Sequence, residues 1–145
     1  MKRIYGISQN PDTKNYIMIF HTSYLESFCK NCDNKYTDIK NKWCKLCQID
    51  NLKANFTNWT SGNEKIDKFI QTMQLTINYD DNVFEWIPYQ QLKQVSRNDF
   101  IMWKDGPLKY DKNLKKYVRS SMNGVFVLNC LYNSQNNISE VLSKV

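Results

Sequence analysis

The sequence predicts an α+β fold: a small four-cysteine zinc module and an amphipathic helix, followed by an antiparallel sheet. Three observations predict it. Four of the five cysteines form two C-x-x-C pairs, Cys29-Lys30-Asn31-Cys32 and Cys44-Lys45-Leu46-Cys47, with eleven residues between them. Apolar residues recur at helical spacing between Ile66 and Met73. Beyond residue 83, short β-prone runs alternate with turn residues.

Taken in order, the chain divides into residues 1–20, 21–60, 61–82 and 83–145. Residues 1–20 read as a β-hairpin. Ile4, Tyr5 and Ile7 lead into Asn10-Pro11-Asp12-Thr13-Lys14, a strong turn signal. Tyr16-Ile17-Met18-Ile19-Phe20 returns as a nearly continuous apolar run, the pattern of a buried strand. A hairpin this small needs a partner sheet. Residues 21–28 read as a connector. His21 is the only histidine. It is expected to be solvated or to cap, because four cysteines already complete a tetrahedral sphere.

The cysteine module follows. Asn34-Lys35-Tyr36-Thr37-Asp38 reads as a turn and a short strand. Trp43, beside the second knuckle, is placed to cover one side of the metal site. After Cys47 the chain enters a helix with Ile49, Leu52 and Phe56 on one side. In residues 61–82, Ser61 and Glu64 have the spacing of a capping box. Ile66, Phe69, Ile70 and Met73 form a core-facing stripe, and residues 78–82 break the pattern.

Residues 83–145 are rich in strands. Val83-Phe84-Glu85-Trp86-Ile87-Pro88 is apolar and β-prone. Residues 91–96, Phe100-Ile101-Met102-Trp103 and residues 124–131 are further strands, with a lysine-rich loop over 109–119. Ser134 or Asn136 caps a short terminal helix that carries Ile138, Val141, Leu142 and Val145.

Composition sets bounds on function. The chain has 145 residues, 41% hydrophobic and 14% aromatic. That is enough for a core and too apolar for a disordered chain. The formal charge is +6. The arginines are only Arg3, Arg97 and Arg119, and the lysines are scattered singly, as in a solvated surface in an A/T-rich codon pool. Nucleic acid is not the expected partner. No apolar h-region follows Met1-Lys2-Arg3, and no apolar run is long enough to span a bilayer. A cytoplasmic, reducing location is expected. There paired C-x-x-C reads as a metal site rather than as disulfides, and the sequons at Asn55, Asn58 and Asn137 are chance matches.

Two knuckles at this separation can place Cys29, Cys32, Cys44 and Cys47 around one Zn²⁺. Four protein ligands leave no position for a catalytic water. The zinc is therefore expected to be structural, with binding coupled to folding. Two alternatives stay open: a thiol redox pair, and a nucleic-acid-binding zinc ribbon using Lys30, Lys35, Lys40, Lys42 and Lys45.

Several stretches then read together. The two knuckles lead into Asn55-Phe56-Thr57-Asn58-Trp59-Thr60-Ser61-Gly62-Asn63-Glu64. Phe84-Glu85-Trp86-Ile87-Pro88-Tyr89, Trp103-Lys104-Asp105-Gly106-Pro107-Leu108 and Cys130-Leu131-Tyr132-Asn133-Ser134-Gln135-Asn136 follow. This string closely resembles the greatly expanded kinase-like proteins of arbuscular mycorrhizal fungi. In that family a two-knuckle segment and a helix precede a tyrosine-kinase-like catalytic domain.

The resemblance implies that residues 91–131 correspond to the first three strands of a kinase N-lobe, and residues 136–145 to the start of its αC helix. It also implies a degenerate nucleotide site. Val95-Ser96-Arg97-Asn98-Asp99-Phe100 has no glycine to close over ATP phosphates. Asn129 stands where the family carries the lysine of its V-A-x-K strand, Val127 replaces the small alanine, and Lys144 stands at the αC glutamate. The catalytic-loop Asp, the DFG Asp and the activation segment have no counterpart in this sequence. ATP is not an expected ligand.

Residues 4–20 resemble the family's fourth and fifth strands. They are expected to fold back beside residues 125–131 as a circularly permuted five-stranded lobe. The alternative is a remnant of an upstream kinase unit. The expected function is a non-catalytic, kinase-derived interaction module whose partners are other kinases or signalling proteins. It would dock through Ile138, Val141 and Leu142. The alternatives are a fragment of an active protein kinase with ATP binding, and the zinc ribbon. No membrane association is expected.

Overall fold

The computed structural model describes residues 4–95, 99–120, 124–132 and 134–145. Met1, Lys2, Arg3, Ser96, Arg97, Asn98 and Asn133, which enter the readings above, lie outside the described residues. Helices and antiparallel strands make up two units, Met1–Cys47 and Gln48–Val145.

The first unit opens with β1 (Ile4–Gln9) and β2 (Tyr16–Phe20), paired antiparallel from Gly6↔Ile19 to Gln9↔Tyr16. The turn is set by Asn10, whose Oδ1 accepts the Asp12 and Thr13 N–H groups at 2.8 and 3.1 Å. Lys14 closes it at φ 62°. The expected burial of this hairpin does not occur. Ile7 is 68% exposed and Met18 56%. Successive strand residues point to opposite faces, so the run Ile17-Met18-Ile19 puts apolar groups on both.

The expected five-stranded permuted sheet is likewise corrected. Among the described residues β1 and β2 pair only with each other. The strand they were expected to join, near residues 125–131, is only three residues long and pairs with Phe100–Met102 instead.

Residues 21–28, expected as a connector, contain α1 (Thr22–Ser27), capped by His21 Nδ1 accepting the Ser23 N–H at 3.1 Å. Phe20, Tyr24 and Phe28 stack at i, i+4 spacing, with ring centres 4.3 and 4.7 Å apart.

In the second unit, Leu52 of α2 (Lys45–Ala54) is buried. Gln48 donates Nε2 to the Lys115 carbonyl at 2.9 Å. Next comes α3 (Glu64–Leu75). Its cap is Asn63, whose Oδ1 accepts from the Lys65 and Ile66 N–H groups at 3.0 and 3.3 Å. The Ser61/Glu64 capping box does not form: the cap is Asn63, and Gly62 at φ 81° lies between it and Ser61. Ser61 and Thr60 instead donate hydroxyls to Asp67. Of the expected stripe, Ile66 and Phe69 are half-buried and Ile70 buried, but Met73 is not inward. Ile70, Gln74 and the following Ile77 are buried, while Met73 is 39% exposed.

The Asp67 contacts have a pH consequence. The Ser61 hydroxyl, then the Thr60 hydroxyl and the Ser61 N–H, hold the Asp67 carboxyl below its usual range. Its folded pKa lies below the unfolded one, so its stabilisation is complete above the unfolded value of about 3.9. It is lost as pH falls through the folded value. Asp67→Asn is expected to lower the melting temperature near neutral pH and to flatten its decline in acid. Thermal unfolding across a pH series would show this, and parallel wild-type and mutant curves would refute it.

The run over 83–88, expected as a strand, joins no ladder. Side chains take its backbone groups instead: Gln74 Nε2 donates to the Phe84 carbonyl at 2.8 Å. Phe84 meets Phe69 edge-on at 5.9 Å.

Beyond it lie β3 (Leu92–Gln94) and β4 (Phe100–Trp103), antiparallel. The expected loop over 109–119 is a hairpin of β5 (Leu108–Asp111) and β6 (Lys116–Arg119). Asp111 Oδ1 accepts the Asn113 and Leu114 N–H groups at 2.8 and 2.9 Å, and Lys115 sits at φ 53°. Tyr110 faces Tyr117 across the strands at 5.7 Å. That cross-strand tyrosine pair outweighs the lysine content. β7 (Val125–Val127), shorter than expected, completes a sheet of order β3-β4-β7.

The chain closes with α4 (Ile138–Ser143). Its cap is Asn137, accepting the Glu140 N–H at 3.1 Å, not Ser134 or Asn136. α4 packs against α3, and Ile138, Val141 and Leu142 are half-buried rather than open.

Candidate metal centre

Both knuckles are built by short antiparallel bridges. In the first, Phe28 pairs with Lys35. The Cys29 N–H donates to the Asn34 carbonyl and the Asp33 N–H to the Cys29 carbonyl, each at 2.8 Å. The reversal needs a left-handed residue just after Cys32, and Asp33 supplies it at φ 59°. Aspartate tolerates that region better than most residues. Asp33 is also held by α1, through the Tyr24 hydroxyl donating to its Oδ1 at 2.9 Å. Burial, then the bond and the charge of Asp33, push the Tyr24 phenol pKa up.

In the second knuckle, Asp38 pairs with Trp43, and Lys42 turns the chain at φ 54°. Asp38 braces the loop by accepting from the Asn41 N–H and amide at 2.9 and 3.0 Å. The Lys45 N–H, at the start of α2, donates to Thr37 Oγ1 at 3.0 Å. The first turn of α2 then carries Cys47 back toward Cys29.

These two turns bring Cys29, Cys32, Cys44 and Cys47 together, with all ligand atoms within 4.8 Å of one another. The Sγ–Sγ separations are 3.6 Å for Cys29–Cys47 and 3.5 Å for Cys32–Cys44. A tetrahedron with metal–sulfur bonds of ~2.3 Å has edges of ~3.8 Å. A disulfide needs ~2.05 Å, and all five cysteines are free thiols. The donor set fits a metal ion. Cys29 and Cys44 are buried, and Cys32 and Cys47 half-buried.

The electrostatics agree with that reading. Burial, then hydrogen bonds that Cys47 donates to the neighbouring sulfurs, push its thiol up, and burial also raises Cys44. Burial opposes ionisation at Cys32 too, but Asn34 and the adjacent thiols bring it down to about 7. Four thiolates this close repel one another unless a cation lies between them.

The apolar neighbour in this cluster is Tyr36, 4% exposed. Trp43, expected over the metal, is the most buried large side chain at 1% exposure but is not part of that cluster. Lys42 donates Nζ to the Glu26 carbonyl and lies 5.6 Å from the Tyr36 ring centre. Sequence reasoning passed over Asp33, Tyr24 and Tyr36. An Asp directly after a knuckle was the available signal, because that position calls for positive φ.

The kinase-like positions lie elsewhere. Val127 ends β7 at 71% exposure, Asn129 is exposed just beyond it, and Lys144 pairs with Glu140 at 3.6 Å. Glu85 of the Phe84-Glu85-Trp86 motif pairs with Arg119. Cys130 is exposed and outside the thiol cluster. Among the described residues no helix is long and apolar enough to cross a membrane.

Fold and site together define an α+β chain with a four-cysteine centre able to hold a metal ion. Comparisons with protein-family models, curated proteins and solved structures found no match.

Proposed function

We propose that this chain is a zinc-stabilised, non-catalytic binding module derived from a protein-kinase N-lobe. The observation that carries the reading is the cluster of Cys29, Cys32, Cys44 and Cys47. Zn²⁺ is borderline-soft and imposes no geometry of its own, so a closed tetrahedral thiolate set suits it. Such a set has no open position for water, and the metal's work is to hold the fold.

The kinase ancestry rests on the motif string that runs from the knuckles to Asn136. The order of the β3-β4-β7 sheet followed by α4 is consistent with it. The non-catalytic half rests on Asn129 and Lys144. An amide carries no charge to hold phosphates, and Lys144 at the glutamate position cannot form the lysine–glutamate pair. The partners proposed are other kinases or signalling proteins, met in the cytoplasm.

Elemental analysis and thermal unfolding of the full chain test this, the latter untreated, with a zinc chelator, and with Mg-ATP. One zinc per chain, a large fall in melting temperature on chelation and no change with nucleotide are expected. A rise with Mg-ATP would favour a fragment of an active kinase and overturn the non-catalytic half. A metal-free chain insensitive to chelation would overturn the zinc half. Salt-dependent binding to DNA or RNA would support the zinc ribbon instead.

A further inference from the structure

Three of the four tryptophans, Trp59, Trp86 and Trp103, line one cavity of about 190 Å³ in the second unit. They come from different segments. Trp59 follows the 3-10 turn Phe56–Asn58, Trp86 lies in the extended run before Pro88, and Trp103 ends β4. Trp86 is 38% exposed. Indoles are favoured in cores, where their large area is withdrawn from water. Three of them around one open cavity suit a ligand.

One wall already holds a cation. The Arg119 guanidinium lies 5.8 Å from the Trp103 ring centre. It pairs with Glu85 at 2.7 and 2.9 Å and donates to the Gly106 carbonyl at 3.1 Å. The Glu85 side chain is only 9% exposed. That pair is internally neutral. Asp105 lines the same cavity. Its backbone N–H donates to Gln91 at 3.2 Å, while its carboxylate has no ionic partner among the described residues. The cavity therefore keeps one uncompensated negative charge beside indole faces, which attract cations.

We propose that this cavity binds a methylated ammonium group. A bare ammonium is strongly hydrated and loses that shell on entry. Methyl groups weaken the hydration, spread the charge and give the indoles apolar surface to cover. The group can belong to a methylated lysine side chain or to a free quaternary amine such as choline. The inference does not depend on the metal centre.

The zinc-loaded full chain is titrated with tetramethylammonium chloride while the indole N–H resonances are followed. Ammonium chloride at matched ionic strength is the control. Saturable shifts are expected for Trp59, Trp86 and Trp103 but not for Trp43, with no saturable response to ammonium. Asp105→Asn and Trp86→Ala are each expected to weaken binding roughly five-fold, and Trp86→Phe, which keeps a ring, by less. Both positions are exposed, so melting temperatures should hold. No saturable shift, an equal response to ammonium, or unchanged binding in Asp105→Asn would overturn the proposal. Choline and a trimethyl-lysine peptide form the second arm. Tighter binding of one over the other assigns the source of the group.

Discussion

Replacing Cys44 with serine is expected to abolish metal retention and to unfold the cysteine module. The first unit has little else to hold it. Among the described residues its buried side chains are Tyr24, Cys29, Tyr36, Trp43 and Cys44, and its hairpin is exposed on both faces. Structural zinc contributes on the order of 10–16 kcal/mol in small modules of this kind, far more than so few buried groups. Serine removes the sulfur, and its hydroxyl does not ionise to replace it. Metal content should fall from one equivalent to none, with loss of the module's ordered circular dichroism. Cys130→Ser is the control, because Cys130 is exposed and outside the cluster. A Cys44→Ser chain that retained its metal and its melting temperature would refute the structural role.

Trp43→Ala should be the most damaging change that leaves every ligand in place. Trp43 is 1% exposed, the largest fully buried side chain among the described residues. Deleting a buried tryptophan side chain typically costs about 3–5 kcal/mol, part transfer energy and part cavity. The backbone pairing of Trp43 with Asp38 closes the second knuckle, so metal affinity should fall as well. Denaturant unfolding with zinc in excess would measure the loss. A change below about 1 kcal/mol, within the range of tolerated core swaps, would refute a packing role for the indole. Trp43→Phe keeps an aromatic ring and is expected to lie between the two.

Features legible in the sequence were those set by neighbours along the chain. The hairpin turn at Asn10 forms because its side chain bonds two following N–H groups. His21 caps α1 for the same kind of reason. The α3 helix forms where its apolar period predicts it. Errors arose where a local pattern met competing partners. Ser61 had the spacing of a cap, but Asp67 claimed its hydroxyl. Met73 fitted the apolar stripe, but Gln74 is the inward residue, because its amide bonds the Phe84 carbonyl. Residues 109–119 were rich in lysine and read as a loop, although Tyr110 and Tyr117 form a directly opposed pair across two strands.

The pairing of Glu85 with Arg119, the gathering of Trp59, Trp86 and Trp103, and the isolation of β1 and β2 were invisible in one dimension. Each depends on contacts across long loops. Those contacts are chosen by closure entropy and by competition for backbone hydrogen bonds, which sequence spacing does not encode. The four thiols are the opposite case. C-x-x-C is one turn of chain, so each pair of sulfurs is brought close by local geometry alone. Sequence by itself therefore determined the donor set, its number and its chemistry. Tertiary structure decided how the two knuckles face each other at 3.5–3.6 Å. It did so through Asp33 and Lys42 at positive φ and the start of α2, because a tetrahedral centre needs both halves placed at once.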